Sequence, residues 1–453
     1  MDGAGRLRHL QEVVSFRSAL RFWVKLGFIS FGGPAGQIAI MHREIVERRR
    51  WIPEDQFLRA LNFCMILPGP EAQQLAVYIG WLLHGTPGGV AAGALFVIPS
   101  IVVLLVLSWL VAAHARVPAV AGLLYGVQPI VIAIVAEAVL RIGRRALRHP
   151  ALYLFAAGAF IAIYFFSVPF PLIVVGAAAG GLLLERALPG VLHPRRPGAG
   201  AGTTTAAACD AAPPPRGAAR ARAAYPPVGR AIRIIALFAA LWAVPVVALW
   251  LWRGGGDVLV REALFFTEAA FVTFGGAYAV LAYIAHMAVN VYGWLSAAQM
   301  VQGLGLAEST PGPLIMVTQY VGFLGAWNQP GSIGPLANGI LGALITTYVT
   351  FLFCFMFIFV GAPYIEALAD NRRIQAALVG VTAAVVGVIL NLAVFFASRV
   401  LFPAGGSLDL FSLVLAALSF AALVRCRVPI QYLVAAGALA GMAWRLLVAS
   451  GGP

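Results

Sequence analysis

Residues 90–113 read VAAGALFVIPSIVVLLVLSWLVAA, twenty-four residues without a charge. A helix of about 20 apolar residues crosses the ~30 Å hydrocarbon core of a bilayer, so this run predicts a membrane span. Similar runs fill the 453-residue chain, which is 61% apolar and 11% charged with a mean hydropathy of +0.90. Soluble domains carry roughly 45–50% apolar and about 25% charged residues, and a soluble enzyme is thereby excluded. The strands of a membrane barrel would alternate weakly instead of forming continuous runs. The composition predicts an all-α polytopic membrane protein with the lipid bilayer as its solvent.

The formal net charge of +14 would suggest nucleic acid as a partner for a soluble chain. Here the basic residues, thirty Arg and the single Lys25, gather in a few loops between apolar runs, where they report orientation instead. No nucleic-acid partner is expected. Cys64, Cys209, Cys354 and Cys426 stand far apart without CxxC or Cys/His spacing, which argues against a disulfide framework or a metal site. The sequence shows no nucleotide loop and no Ser/His/Asp set, so neither a cofactor nor an enzymatic activity is expected. Arg6, Arg8, Arg17 and Arg21 precede any apolar run, and no short h-region with a cleavage site follows. No cleaved signal peptide is expected.

The stretch HPRRPGAGAGTTTAAACDAAPPPRGAARARAAYPP (193–227) can neither pack a core nor cross lipid. Residues 186–229 are read as a flexible linker between a first repeat, 1–185, and a second, 230–453, which opens with an extra span. At an offset of 243 residues the halves register without a gap: Phe28 falls on Phe271, Phe31-Gly32-Gly33 on Phe274-Gly275-Gly276, Trp51 on Trp294, Gln56 on Gln299, and Pro68-Gly69-Pro70 on Pro311-Gly312-Pro313. Apolar sequence matches by chance at Leu and Ala, not at two Gly/Pro motifs with one spacing. An internal repeat follows.

The basic segments are the N-terminus, 43–59, 141–148 and the linker, all expected on the cytoplasmic side. With 1–25 and 43–59 on one side, the segment around Phe31-Gly32-Gly33-Pro34 must enter and return or break midway. The same parity applies to 57–83 around Pro68-Gly69-Pro70, unless that motif only kinks a crossing helix. Further spans are expected near 90–113, 119–140, 150–167, 171–185, 231–252, 334–362, 374–398, 408–424 and 428–447. The extra span at 231–252 turns the second repeat over, giving two inverted-topology repeats with broken or re-entrant helices and a C-terminus outside. Arg253, Arg261 and Arg399 then lie outside, against the trend.

Inverted repeats with paired Gly/Pro-interrupted segments are the pattern of a secondary transporter with its site at the repeat interface. A broken helix exposes N–H groups that favour an anion, and glycine admits a ligand oxygen close to the backbone. Gly32, Gly33, Gly69, Gly275, Gly276 and Gly312 are therefore candidates to hold one oxyanion; ordinary helix kinks and close packing are the plainer reading. Glu71 follows the first Pro-Gly-Pro and Glu308 precedes the second. Either carboxyl suits reversible protonation and proton coupling, or serves as a cap or an internal hydrogen-bonding group. Lys25 and Arg43 flank the first break on the cytoplasmic approach, as binding residues or interfacial anchors. Gln37, Gln73 and Gln74 could donate neutral hydrogen bonds to the anion, or join helices. Glu137, Glu268 and His84 read as paired or interfacial groups.

The segments SFGGPAGQIAIMHREIVERRRWI (30–52), LNFCMILPGPEAQQLAVYIGWLLHGTPGGVAAGALFVIPS (61–100), FVTFGGAYAVLAYI (271–284) and LAESTPGPLIMVTQYVGFLGAW (306–327) together resemble the chromate ion transporter family in its long, two-domain form. That resemblance implies a bacterial inner-membrane carrier that expels chromate, driven by the proton-motive force and conferring chromate resistance. Chromate and sulfate are near-isosteric tetrahedral dianions, so a sulfate-like oxyanion carrier working as importer or exchanger, or an anion channel, is the alternative. Oligomeric state is left open, a homodimer included.

Overall fold

The structure, a computed structural model, describes residues 14–187, 228–365, 371–403 and 406–450. Among these residues it has sixteen α-helices and no strand. The first half comprises α1 (Phe16–Ile29), α2 (Gly33–Met41), α3 (Glu54–Ile66), α4 (Glu71–His114), α5 (Pro118–Ala146), α6 (Pro150–Tyr164) and α7 (Phe170–Ala187). The second comprises α8 (Val228–Arg253), α9 (Val258–Val272), α10 (Ala277–His286), α11 (Ala297–Ser309), α12 (Val317–Asn328), α13 (Pro335–Gly361), α14 (Arg372–Leu401), α15 (Leu410–Arg425) and α16 (Ile430–Ser450). Among the described residues seven helices are long and apolar enough to cross a membrane.

The offset of 243 residues is visible in the backbone. Helices α1, α2 and α3 return as α9, α10 and α11. Both α2 and α10 widen into a π turn, His42–Arg48 and Met287–Val291. The turns close alike: Arg49 N–H donates to Glu44 O (3.1 Å) and Trp51 N–H to Ile45 O (2.8 Å), as Tyr292 does to Met287 and Trp294 to Ala288 (2.8 Å each). Each exit needs a left-handed residue, which is Gly293 (φ 60°) in the second half but Arg50 (φ 50°) in the first. Glycine adopts that backbone freely and arginine at some cost.

At both Pro-Gly-Pro motifs the chain leaves helix between two helices, so these segments are helix breaks and not kinks in one rod. Helix α4 is broken a second time, at His84 and Gly85, whose backbones are not helical. At the same offset that point falls on Trp327 and Asn328, the end of α12 just before the gap to α13. The expected spans from 90 to 185 and from 231 to 447 coincide with helices. The linker assigned to 186–229 begins and ends in helix, since α7 runs to Ala187 and α8 starts at Val228; its remainder, like residues 1–13, lies outside the described residues.

Packing uses small residues where helices touch most closely. A Cβ on Gly122, Gly126 or Gly441 would strike the opposing backbone of the α5–α16 pair, the close approach typical of membrane helices. Among the bonds that join the extra helix α8 to α13, one answers a local need of the chain. Pro245 has no N–H for the Leu241 carbonyl one turn before it, and the Tyr348 hydroxyl donates to that carbonyl at 2.7 Å instead.

Candidate functional site

Each Pro-Gly-Pro break meets the Phe-Gly-Gly break of the other half. Gly69 N–H donates to Thr273 O at 2.8 Å and Gly312 N–H donates to Ser30 O at 2.9 Å. These bonds are each other's image at the 243-residue offset, and each crosses from one half to the other. Ser30 and Thr273 also hydroxyl-bond back to Leu26 O and Ala269 O, at 2.5 Å in both cases. Such back-bonding relieves a carbonyl at a helix end that has no N–H to receive. Gly69 and Gly312 hold φ of 124° and 120°, a backbone open in practice only to glycine.

This geometry corrects the donor set expected from sequence. The amides of Gly69 and Gly312 are committed to the opposite half and act as struts, so they are not available to an anion. Gln37 donates its amide nitrogen to both Ser30 O (3.2 Å) and Gly312 O (2.5 Å), and Gln74 donates to Pro68 O at 2.7 Å. Because carbonyls face each nitrogen, neither amide can be turned over without setting oxygen against oxygen. Gln37 and Gln74 therefore present a free carbonyl oxygen, which is an acceptor. Gln73, fully buried with neither end of its amide engaged, keeps its donors.

The amides of Gly32, Gly33, Gly275 and Gly276 have no acceptor among the described residues. All four glycines have positive φ, from 68° to 97°, and they open α2 and α10. Two helix N-termini thus present uncommitted N–H groups at equivalent breaks, the arrangement that suits an anion. Glu71 lies beside one of them: a Cβ on Gly276 would sit 3.4 Å from its Oε1, and its Oε2 is unpartnered. Ser100, 1% exposed and also unpartnered, lies against Gly312. Gln319 on α12 reaches across to Ile101 O at 2.8 Å.

Glu308, 4% exposed, accepts a short hydrogen bond from the Tyr278 hydroxyl. Arg141 acts electrostatically on both; it pairs with Glu137 at 3.3 Å, and its Nε is buried without an acceptor. Tyr278, Ser100 and Arg141 were not singled out from the sequence. The Glu137–Arg141 spacing of four was visible, but Arg141 read as one of a topological Arg cluster. Lys25 and Arg43 are exposed. Beside them Glu44 is buried among Arg48 (2.6 Å) and Arg49 (3.5 Å). Burial alone would push its carboxyl up, but Arg48, Lys25 and Arg49 hold it below its ordinary value. Among the described residues no cluster of three His, Cys, Asp or Glu could hold a metal ion.

A chromate transporter family model matches residues 18–182 and 261–442, which takes in both sets of breaks. The chain is 32% identical to the chromate transport protein of Pseudomonas aeruginosa over 397 residues, 85% of this chain and 83% of that one. It is 27% identical to a "probable chromate transport protein" of Synechococcus elongatus over 86% of each chain. It is 25% identical to the chromate transport protein of Cupriavidus metallidurans over 86% of this chain and 85% of that one. No solved structure matches.

Proposed function

The chain belongs to the chromate transporter family, and on that premise we propose that it is a secondary carrier exporting chromate from the cytoplasm across a bacterial inner membrane. Two repeats of inverted topology, 1–185 and 230–453, hold the dianion between them, tethered by the cytoplasmic segment 186–229. The observation that carries this reading is the reciprocal pair of bonds Gly69–Thr273 and Gly312–Ser30. It ties the Pro-Gly-Pro break of each half to the Phe-Gly-Gly break of the other and leaves the glycine amides of Gly32, Gly33, Gly275 and Gly276 as the donors for an oxyanion, with the unengaged amide of Gln73 as a further donor.

Access alternates as the repeats rock about the struts. Glu71, against Gly276, and Glu308, on Tyr278, exchange protons as the anion moves. Expelling two negative charges from a negative interior gains about 2.3 kcal/mol per charge per 100 mV, so the potential assists export. Arg141 and the exposed Lys25 and Arg43 raise the local anion concentration on the cytoplasmic approach.

The test is chromate tolerance and accumulation in cells with and without the gene, with sulfate as competitor. Lower accumulation in the expressing cells, unaffected by excess sulfate, supports chromate export. Equal accumulation overturns it, and accumulation that rises with expression and falls with sulfate marks a sulfate-type importer.

A further inference from the structure

Glu262 lies outside the central site, on α9 just past the Asp257 cap, where the first half has Ala19. Its side chain is 0% exposed, and neither carboxyl oxygen has a hydrogen-bond partner. It faces glycine on two other helices. A Cβ on Gly325 of α12 would lie 2.5 Å from its Oε1, and one on Gly342 of α13 would lie 2.9 Å from its Oε2. Trp294 closes the same spot, 3.2 Å from the Gly325 position. The Ala326 amide approaches without hydrogen-bond geometry.

The charged surroundings are few. Asp257 is the charged group that acts on Glu262 among the described residues. Arg253, at the end of α8, is already committed: it bonds Asp257 at 3.0 Å, Ser332 at 2.7 Å, and the Pro330 carbonyl and Asn338 at 3.3 Å each. Helices α12 and α13 offer Glu262 glycine. An ionised carboxylate closed in this way has no compensating donor, and burying one costs several kcal/mol or more. The neutral acid is the form that the packing accommodates. To ionise, Glu262 must gain water or Arg253, and for that α9 has to part from α12 and α13.

The same helix reaches the central site. Helix α9 has fifteen residues, roughly 22 Å at 1.5 Å per residue, and its C-cap Thr273 is the acceptor of the Gly69 strut. We infer that Glu262 is a proton-binding site separate from the central breaks, whose proton latches α9 to α12 and α13. Loss of that proton frees the far end of the helix that carries one strut. The latch stands independently of whether protons drive transport.

The test is hydrogen–deuterium exchange on the full-length protein in lipid nanodiscs, followed from acid to alkaline pH. The amides of 258–272, 317–328 and 335–345 are compared with those of α5, so that the intrinsic pH dependence of exchange cancels. Opening linked to release of one proton rises about tenfold per pH unit. The wild type is expected to lose protection in these three stretches at alkaline pH, and Glu262→Gln, neutral at every pH, to keep it. A wild type whose stretches follow α5 throughout overturns the latch. So does Glu262→Gln opening in parallel with the wild type. If Glu262→Gln does not fold, the wild-type comparison against α5 decides alone, and a fixed chromate flux in either case tests only the carrier reading.

Discussion

The amide of Gly312 donates to the carbonyl of Ser30 at 2.9 Å, and its counterpart 243 residues earlier, Gly69, donates to Thr273 at 2.8 Å. A break that looks like a free anion cradle in one half is thus capped by the other half. The struts hold the Phe-Gly-Gly breaks in place and leave their glycine N–H groups uncommitted. Each half completes the other, which explains why neither motif occurs without its partner in this chain.

Gly312→Ala is expected to abolish transport while the protein still inserts. Its φ of 120° costs a residue with a Cβ about 1–3 kcal/mol, and that Cβ would lie 2.7 Å from Ser100 Oγ. Adding Ser100→Gly removes the contact but not the backbone strain, so rescue is partial. Chromate flux normalised to membrane abundance reads both variants.

Gln37→Leu removes a donor that faces two carbonyls, Ser30 O and Gly312 O, and is expected to cost about 1–3 kcal/mol. Gln37→Glu is expected to be worse at neutral pH, because it sets a carboxylate against the same carbonyls. Acid restores part of that loss, since a protonated carboxyl can donate. Melting temperatures of the purified variants in detergent, at neutral and acid pH, check the order.

Glu308→Gln and Glu71→Gln separate the two carboxyls. Under a fixed chromate gradient, the residue that exchanges the coupled proton gives a variant whose flux no longer changes with pH. Tyr278→Phe, which removes the donor to Glu308, is expected to shift the pH profile without abolishing flux. If both Gln variants keep the wild-type rate and pH profile, the carboxyls are structural.

Glu44 supplies a stability test with a definite sign. Its carboxyl sits below its ordinary value of 4.5 because Arg48, Lys25 and Arg49 outweigh its burial. A depressed folded-state value stabilises the protein above the unfolded value and is lost as pH falls through the folded one. Wild type is expected to exceed Glu44→Gln by on the order of 1 kcal/mol at neutral pH, with the gap closing below pH 4.5. Thermal unfolding across pH measures it.

The bundle and its repeat were legible because they are written in local signals. Runs such as 90–113 encode spans, and Gly32-Gly33 and Gly275-Gly276 encode breaks at one spacing. What the breaks do was not legible. That Gly69 N–H is spent on Thr273 depends on a residue in the other half, and that Gln37 leaves its oxygen rather than its nitrogen unpaired depends on the carbonyl of Gly312. Glu262 stands next to Arg261, and no motif in the sequence marks it; only the packing of Gly325 and Gly342 reveals that it is sealed.

The most direct measurement is chromate uptake into everted membrane vesicles bearing the protein, with an imposed pH gradient and potential. The carrier account predicts saturable uptake that falls to the level of protein-free vesicles when both gradients are collapsed, and that is lost in Gly312→Ala. Uptake that persists unchanged without either gradient, or that does not saturate, would contradict it.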